Sequence, residues 1–454
     1  MANTKGVMRP LVNFPEDLWC DRFLSLPFNN SEFESYTKQV EAMKETVKDM
    51  LVVSTTDPIE KMHLINTLCR LGVSFHFENE IEEQLNHLFI TLPKLLNDND
   101  YDLHIVALVF QVFRNKVMGD VKGMVSLYEA SHFRTNGEVI LDEALDFTTK
   151  HLRWYKEQDL KSKFPYARHR VVEAFFYALG IYFEPRYAAG RNILVKQTCL
   201  IGLIDDAHEA YGLYEELQCF TDAIQRFDIS SMDELPTENQ KNIYETLLHV
   251  IGDAEYLVQK EGRSYAIPYN KDEWKNYVKV EQVECRWKHE KDVPTFDEYM
   301  ETGMYTCAAR LAMTQILIGM EEADQNAFHW ILNSNNKFLK ALQICTRLYN
   351  DIVTNEDEEK RGFNTASMCY MKQYNVSRKE AIEAFRAKIG DAWKDISEGC
   401  MRPTMGVPMQ VVRAALNYQR LLDLAYRDND GYTKPNISFQ QLITKVLSQP
   451  IPLD

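Results

Sequence analysis

The chain is poor in the residues that break helices. Its 18 glycines and 15 prolines among 454 residues fall well below the roughly 12% of average usage. That argues against a turn-rich all-β fold or a disordered chain. Its nine cysteines (Cys20, Cys69, Cys199, Cys219, Cys285, Cys307, Cys345, Cys369 and Cys400) are scattered, odd in number and contain no CxxC pair. Neither a disulfide framework nor a structural zinc site fits that spacing, and a reducing compartment does. Basic charge is in deficit: 51 Lys and Arg against 67 Asp and Glu leave a net charge of −16. Such a chain repels a phosphate backbone, so nucleic-acid binding is disfavoured, and a polyanionic substrate needs local positive charge from a metal or clustered arginines. No apolar run approaches the roughly 20 residues of a membrane span. The best, Thr198–Ile204, meets Asp205 and Asp206 at once. The N-terminus MANTKGVMRPLVNFPEDLW has no apolar leader core and no Arg/Ser-rich transit character, so a soluble, cytoplasmic protein is expected.

What is present reads as helix nearly throughout. Hydrophobic residues make up 45% and charged residues 26%, enough for large cores. Asp57-Pro58 is a helix start, with Met62, Ile65, Leu68 and Cys69 at helical spacing and Gly72 as the stop. Leu141, Ala144, Leu145, Thr148 and Leu152 form another such face. Thr295–Glu298 and Ser377–Glu380 fit the capping box. Val411, Ala414, Ala415, Tyr418, Leu421, Leu422 and Ala425 mark one buried stripe. Sustained period-2 alternation and fixed-period repeats are both missing, so the expected fold class is all-α. A domain boundary is expected around His151–Pro165, giving domains 1–152 and 153–454.

Two acidic clusters and two arginine sites carry the chemistry. Asp205, Asp206 and Glu209 end an apolar segment, with Asp205 and Glu209 four residues apart on one helix face. Such hard oxygen donors suit Mg²⁺; the alternative is a helix end with hydrated acids. His208 between them reads as a surface or lining residue. Asn350, Thr354 and Glu358 advance only about 40° per step around a helix, so they share a stripe. They make a second oxygen-rich Mg²⁺ site, the alternative being a solvated charged end over Glu356–Arg361. Arg168 and Arg170 in YARHR, and Arg347 one turn before Asn350, could clamp a phosphate, or could simply pair with surface acids.

Taken in order along the chain, these motifs resemble the terpene synthase family of flowering plants, most closely its sesquiterpene synthases. The matching elements are Arg9-Pro10, FPEDLW, RLGVSFHFENEI, LDEALDFTTKHL, PYARHRVVEAFF, YFEPRYAAGR, DDAHE, RFD, NDIVTNEDE and DNDGYT. Asp205 follows Arg168 by 37 residues, as in the family. The resemblance implies two helical domains, the C-terminal one an isoprenoid-synthase-type bundle. It implies Mg²⁺-dependent ionisation of a prenyl diphosphate, farnesyl diphosphate in the cytosol, by a carbon–oxygen lyase. Asp205, Asp206 and Glu209 would hold metal on one wall and Asn350, Thr354 and Glu358 on the other, with three Mg²⁺ ions when substrate is bound and Mn²⁺ as a substitute. Arg168 and Arg347 would take the diphosphate and Arg170 would help close the lid. Tyr426, Asp430 and Tyr432 resemble lid and pocket residues, and the N-terminal segment past Arg9 would cover the site. The expected partner is the small-molecule substrate alone, bound by a monomer.

Three departures stand out. Glu209 occupies a position where the family usually has Asp, and Tyr177 one where it usually has a pocket Trp. The chain is also short, with expected gaps in the N-terminal helical domain near Arg114–Asn115 and Leu152–Arg153. An alternative reading is therefore a truncated, catalytically impaired or inactive relative.

Overall fold

The computed structural model describes residues 9, 12, 14–15, 17–19, 43–53, 57–71, 73–98, 108, 112, 154–155, 157–400 and 406–448. Among them every regular element is a helix. Gly72, the Leu141–Leu152 face and the expected gaps at 114–115 and 152–153 lie outside the described residues.

The chain divides into two compact units. One comprises Asp21–Thr149, Cys400–Arg402 and Gln440–Asp454. Its described part holds α1 (Pro58–Arg70) and α2 (Glu78–Asp98). Asp57 caps α1 through its side chain onto the Ile59 amide with Pro at the first turn, as its sequence predicts. Met62, Ile65 and Leu68 of α1 then pack with Phe77, Ile81 and Leu85 in one apolar cluster.

The other unit comprises Met1–Cys20, Lys150–Gly399 and Pro403–Phe439. Its helices are α3 (Val171–Ile181), α4 (Ala188–Ala210), α5 (Tyr214–Arg226), α6 (Glu238–Lys260), α7 (Ala266–Glu290), α8 (Phe296–Thr306) and α9 (Ala309–Ile318). They continue with α10 (Gln325–Leu332), α11 (Lys337–Lys360), α12 (Ala366–Tyr374), α13 (Arg378–Gly399) and α14 (Met409–Tyr426); α15 (Ile437–Ser448) begins in this unit, and its residues from Gln440 onward belong to the other. Both capping boxes form: Thr295 with Glu298 at the head of α8, and Ser377 with Glu380 at the head of α13. Val411, Ala414, Ala415, Tyr418, Leu421, Leu422 and Ala425 are all buried along α14.

Helix α3 is buried on every side, so it forms the middle of the bundle, packed against α4 and α14. α11 lies along α13 and also meets α8, α9 and α14. α4 and α9 approach so closely that a Cβ on Gly190 would stand 2.4 Å from Gly319 Cα; only two glycines allow that backbone contact. α4 and α7 run parallel, since Trp274 bonds Gln197 near one end and Cys285 lies at the His208 carbonyl near the other. The ends of α4, α7, α11 and α14 thereby converge on one cavity of about 960 Å³, lined entirely by residues of this unit.

Candidate active site

The last turn of α4 delivers Asp205, Asp206 and Glu209 with ligand oxygens all within 4.8 Å of one another. Asp205 and Glu209 line the cavity. Asp206 is fully buried behind them, where the Arg168 Nε donates to its Oδ1 at 2.7 Å and the Arg168 amide donates to its Oδ2 at 2.5 Å. Arg168 also pairs with Asp205. The Phe164–Arg170 loop presents this arginine because His169 is pinned between the Tyr155 hydroxyl and the Phe164 carbonyl. The cluster is therefore enclosed, not a hydrated helix end.

Burial pushes the Asp205 carboxyl up from its usual range, helped by the Glu209 charge and opposed by Arg168. Asp206 is raised in the same way, with Arg168 again opposing. The negative end of the α4 dipole adds to this. His208 is corrected by the structure: it neither faces solvent nor lines the cavity. It is 3% exposed, bonded through Nδ1 to the Ile204 carbonyl at 2.8 Å and packed by Phe220. One residue's rotation around α4 takes it from the cavity face to the core, and burial lowers its pKa to about 4.

Across the cavity, α11 carries Arg347, Asn350, Thr354 and Glu358 on one stripe, all lining the space. Thr354 Oγ1 donates to Glu358 Oε1 at 2.6 Å, and Arg347 bonds both Asn350 and Asp351. Asp351, one position off the stripe, is structural: it accepts from the Tyr299 hydroxyl and the Ala366 amide, each at 2.8 Å. Burial raises Glu358, with Arg347 opposing and Asp351 and Glu209 adding to the rise. Glu356 and Asp357 stand exposed, but Arg361 does not share their solvated face. It turns inward to pair with Glu209, because the cap of α11 ends against the mouth of the cavity.

Two further carboxyls belong here that the motifs did not mark. Glu281 and Glu284 project from α7 into the same cavity. Both are raised by burial first; Glu281 is raised further by Asp205, whereas Arg347 opposes the rise at Glu284. Thr306 donates to Glu284 at 2.7 Å. The signal was an acid on a buried stripe: Trp274, Tyr277, Val278, Glu281 and Cys285 recur at helical spacing, and all are buried.

This crowding tests whether a metal suits the site. Asp205, Glu209, Glu281, Glu284 and Glu358 share one cavity, where Arg168, Arg347 and Arg361 stand against these five carboxyls and the uncharged Asn350 and Thr354 oxygens complete the donor set. A set made of hard oxygens, with negative charge in excess, fits Mg²⁺.

The deeper walls are apolar and aromatic. Tyr177, Tyr277, Tyr418, Tyr426 and Tyr432 line them with Ile181, Leu194, Ile201 and Ile316. The Tyr177 and Tyr432 rings meet edge to face, 5.6 Å between centroids. Asp430 lines the rim and holds the loop after α14 by accepting from the Tyr432 and Thr433 amides at 3.1 and 2.8 Å. Arg170 does not reach the cavity: its guanidinium donates to the Pro15 and Thr433 carbonyls at 2.7 and 2.8 Å. It thereby ties the N-terminal segment to the rim, where Val12, Phe14 and Pro15 close one side of the cavity. Arg9 anchors that segment further back, forked onto Glu216 at 2.8 and 3.0 Å and lying over the Tyr211 ring.

Residues 156–395 match the model for the metal binding domain of the terpene synthase family. Residues 18–118 and 115–175 match the terpene synthase N-terminal domain, in two pieces that meet beside the expected gap at Arg114–Asn115. A probable terpene synthase of Ricinus communis is 35% identical over 556 aligned positions, covering 99% of this chain and 100% of the relative. The alignment is longer than the chain, so upward of a hundred of its positions have no residue here. A hedycaryol synthase of Camellia brevistyla and a valerianol synthase of Camellia sinensis are each 35% identical over 544 positions, covering 98% of this chain and 97% of the relative. Among solved structures, a limonene synthase with 2-fluorolinalyl diphosphate superposes with a TM-score of 0.81 at 23% identity, covering 98% of this chain and 100% of that one. An isoprene synthase from grey poplar (Populus x canescens), in complex with three Mg²⁺ ions and dimethylallyl-S-thiolodiphosphate, gives 0.78 at 21%, covering 93% and 98%. These two likenesses are of fold.

Proposed function

The chain belongs to the terpene synthase family, and from that premise we propose that it is a Mg²⁺-dependent sesquiterpene synthase acting on farnesyl diphosphate. The observation that carries this reading is the cavity itself. Two oxygen-rich walls and three arginines, Arg168, Arg347 and Arg361, stand at its mouth, above an interior lined by aromatic and aliphatic side chains. A volume of about 960 Å³ lies near the top of the usual range for small-molecule sites, which suits a long prenyl chain. The hedycaryol and valerianol synthases among the relatives support the sesquiterpene class.

In this reading Asp205 and Glu209 on α4, and Asn350, Thr354 and Glu358 on α11, would hold the metal, while Asp206, buried behind them with both oxygens on Arg168, serves as that arginine's counter-ion. Bound Mg²⁺ supplies charge that neutralises the diphosphate as it leaves. Arg168 and Arg347 donate to the diphosphate oxygens, orienting the head group at the mouth with the prenyl chain pointing inward. The carbon–oxygen bond then breaks with its electron pair going to the diphosphate, leaving an allylic cation. The faces of Tyr177, Tyr426 and Tyr432 stabilise positive charge inside the cavity. Phe14 and Pro15, held down by Arg170, exclude bulk water from that cation. Asp430 keeps Tyr432 and Thr433 in place at the rim.

Pyrophosphate release from farnesyl diphosphate tests the reading. It should require Mg²⁺, and it should be lost in Asn350→Ala at unchanged helical content. Release that ignores both would contradict it. Soluble, folded protein that binds Mg²⁺ and substrate without turnover would instead identify a binding-only relative.

A further inference from the structure

All three acidic side chains at the end of α4 are already partnered by guanidinium groups, and two different arginines share them. Arg168 takes Asp205 and Asp206. Arg361, at the cap of α11, takes Glu209 through Nη1 while its Nε donates to the Asp357 carbonyl at 3.2 Å. The two arginines stand alike in a second respect. Both lie against the Phe14 ring, with guanidinium carbons 4.8 and 5.9 Å from its centroid. Both also line the cavity mouth. Arg170, by contrast, is spent on backbone carbonyls and is 3% exposed.

A carboxylate oxygen that turns to a divalent cation weakens its pairing with an arginine. The arginine keeps its charge and its planar fork, and needs another anion within reach. A diphosphate entering at the mouth is that anion, and a guanidinium matches it with paired donors. We propose that Arg361 changes partners: it neutralises Glu209 while the acidic cluster is without metal, and donates to the diphosphate when Glu209 turns to the metal. This rests on the diphosphate reading above and adds a substrate-binding residue to it. Phe14 supplies a π face on which the guanidinium pivots without leaving the mouth. Glu209 suits the exchange because its longer arm spans from α4 to the cap of α11, a distance a shorter acid bridges less readily.

Calorimetric titration of the full chain separates this from a propping role. Each variant is titrated with Mn²⁺ alone, and with inorganic pyrophosphate at saturating Mg²⁺. Arg361→Gln should weaken pyrophosphate binding by about tenfold or more, with Arg361→Lys retaining most of it. Mn²⁺ binding should be unchanged or tighter in Arg361→Gln, because the competitor for Glu209 is gone. If Arg361 merely holds Glu209 in position, Arg361→Gln weakens Mn²⁺ binding, and the inference is overturned. Unaltered pyrophosphate affinity in Arg361→Gln overturns it as well. Should that variant not fold, Phe14→Leu leaves both ion pairs intact and should lower pyrophosphate affinity about two- to fivefold; no change there counts against the exchange. Native protein that takes up no pyrophosphate with Mg²⁺ refutes the diphosphate reading itself, an outcome distinct from the failure of Arg361 alone.

Discussion

Asp205 and Asp206 are neighbours in sequence with the same side chain, yet the structure assigns their loss opposite consequences. Asp205 is partly exposed at the cavity wall, its side chain 27% accessible against 0% for Asp206. In Asp205→Ala, Arg168 keeps its Nε and its backbone amide on Asp206, so no buried charge is stranded. The change relieves crowding with Glu209, and stability should stay within about 1 kcal/mol of the native protein. In Asp206→Ala, the same guanidinium and amide lose a fully buried partner. Removing one member of a buried pair costs about 3–5 kcal/mol, which lowers the melting temperature on the order of 10 °C for a unit of this size. Far-UV circular dichroism during heating reads the difference, and pyrophosphate release reads activity at a temperature where both variants are folded. Asp205→Ala should be folded and inactive, Asp206→Ala destabilised. Equal melting temperatures for the two would refute the separation of a ligand from its buried counter-ion.

Two other perturbations probe the frame around the site. Glu173 is 1% exposed, and burial pushes its carboxyl to about 7, with Arg170 opposing and Asp17 adding slightly; the Trp19 indole donates to its Oε1 at 2.9 Å. Because the folded value lies above the unfolded one, its contribution is full below about pH 4.5 and lost as the pH rises through 7. Glu173→Gln keeps the indole bond and should match the native protein at pH 5 but exceed it by about 2–3 kcal/mol at pH 8; parallel stability curves would contradict this. Gly190→Ala forces a Cβ onto the Gly319 backbone and should destabilise by about 1–3 kcal/mol or more. Gly252→Ala, which meets nothing within 4 Å, should be neutral or stabilising by up to about 1 kcal/mol; denaturant midpoints distinguish the two.

Local rules carried much of the architecture. Asp57-Pro58, Thr295–Glu298 and Ser377–Glu380 name helix starts because each satisfies orphan amides by its own side chains, which needs no tertiary context. The stripe on α14 and the triplet Asn350, Thr354 and Glu358 were legible for the same reason: one helix positions them. What escaped depends on where a neighbouring helix lies. His208 differs from Glu209 by one rotation step, and only the packing of α5 on that side makes it a core residue. Glu281 and Glu284 sit among lysines and glutamates of α7, and the parallel course of α4 and α7 alone turns them into the cavity. Arg361 ends a run of charge that is otherwise solvated, and its inward turn exists because Glu209 waits across the mouth. Arg170 shows the converse: a motif arginine beside Arg168 that the structure turns toward backbone carbonyls.

The central claim is that this cavity ionises farnesyl diphosphate and shelters the cation it makes. Gas-chromatographic analysis of products from purified protein and farnesyl diphosphate, with Mg²⁺ and with a chelator, tests it most directly. The account predicts a hydrocarbon or terpene alcohol that appears with Mg²⁺ and vanishes with the chelator. Folded, Mg²⁺-binding protein that yields no terpene would contradict it.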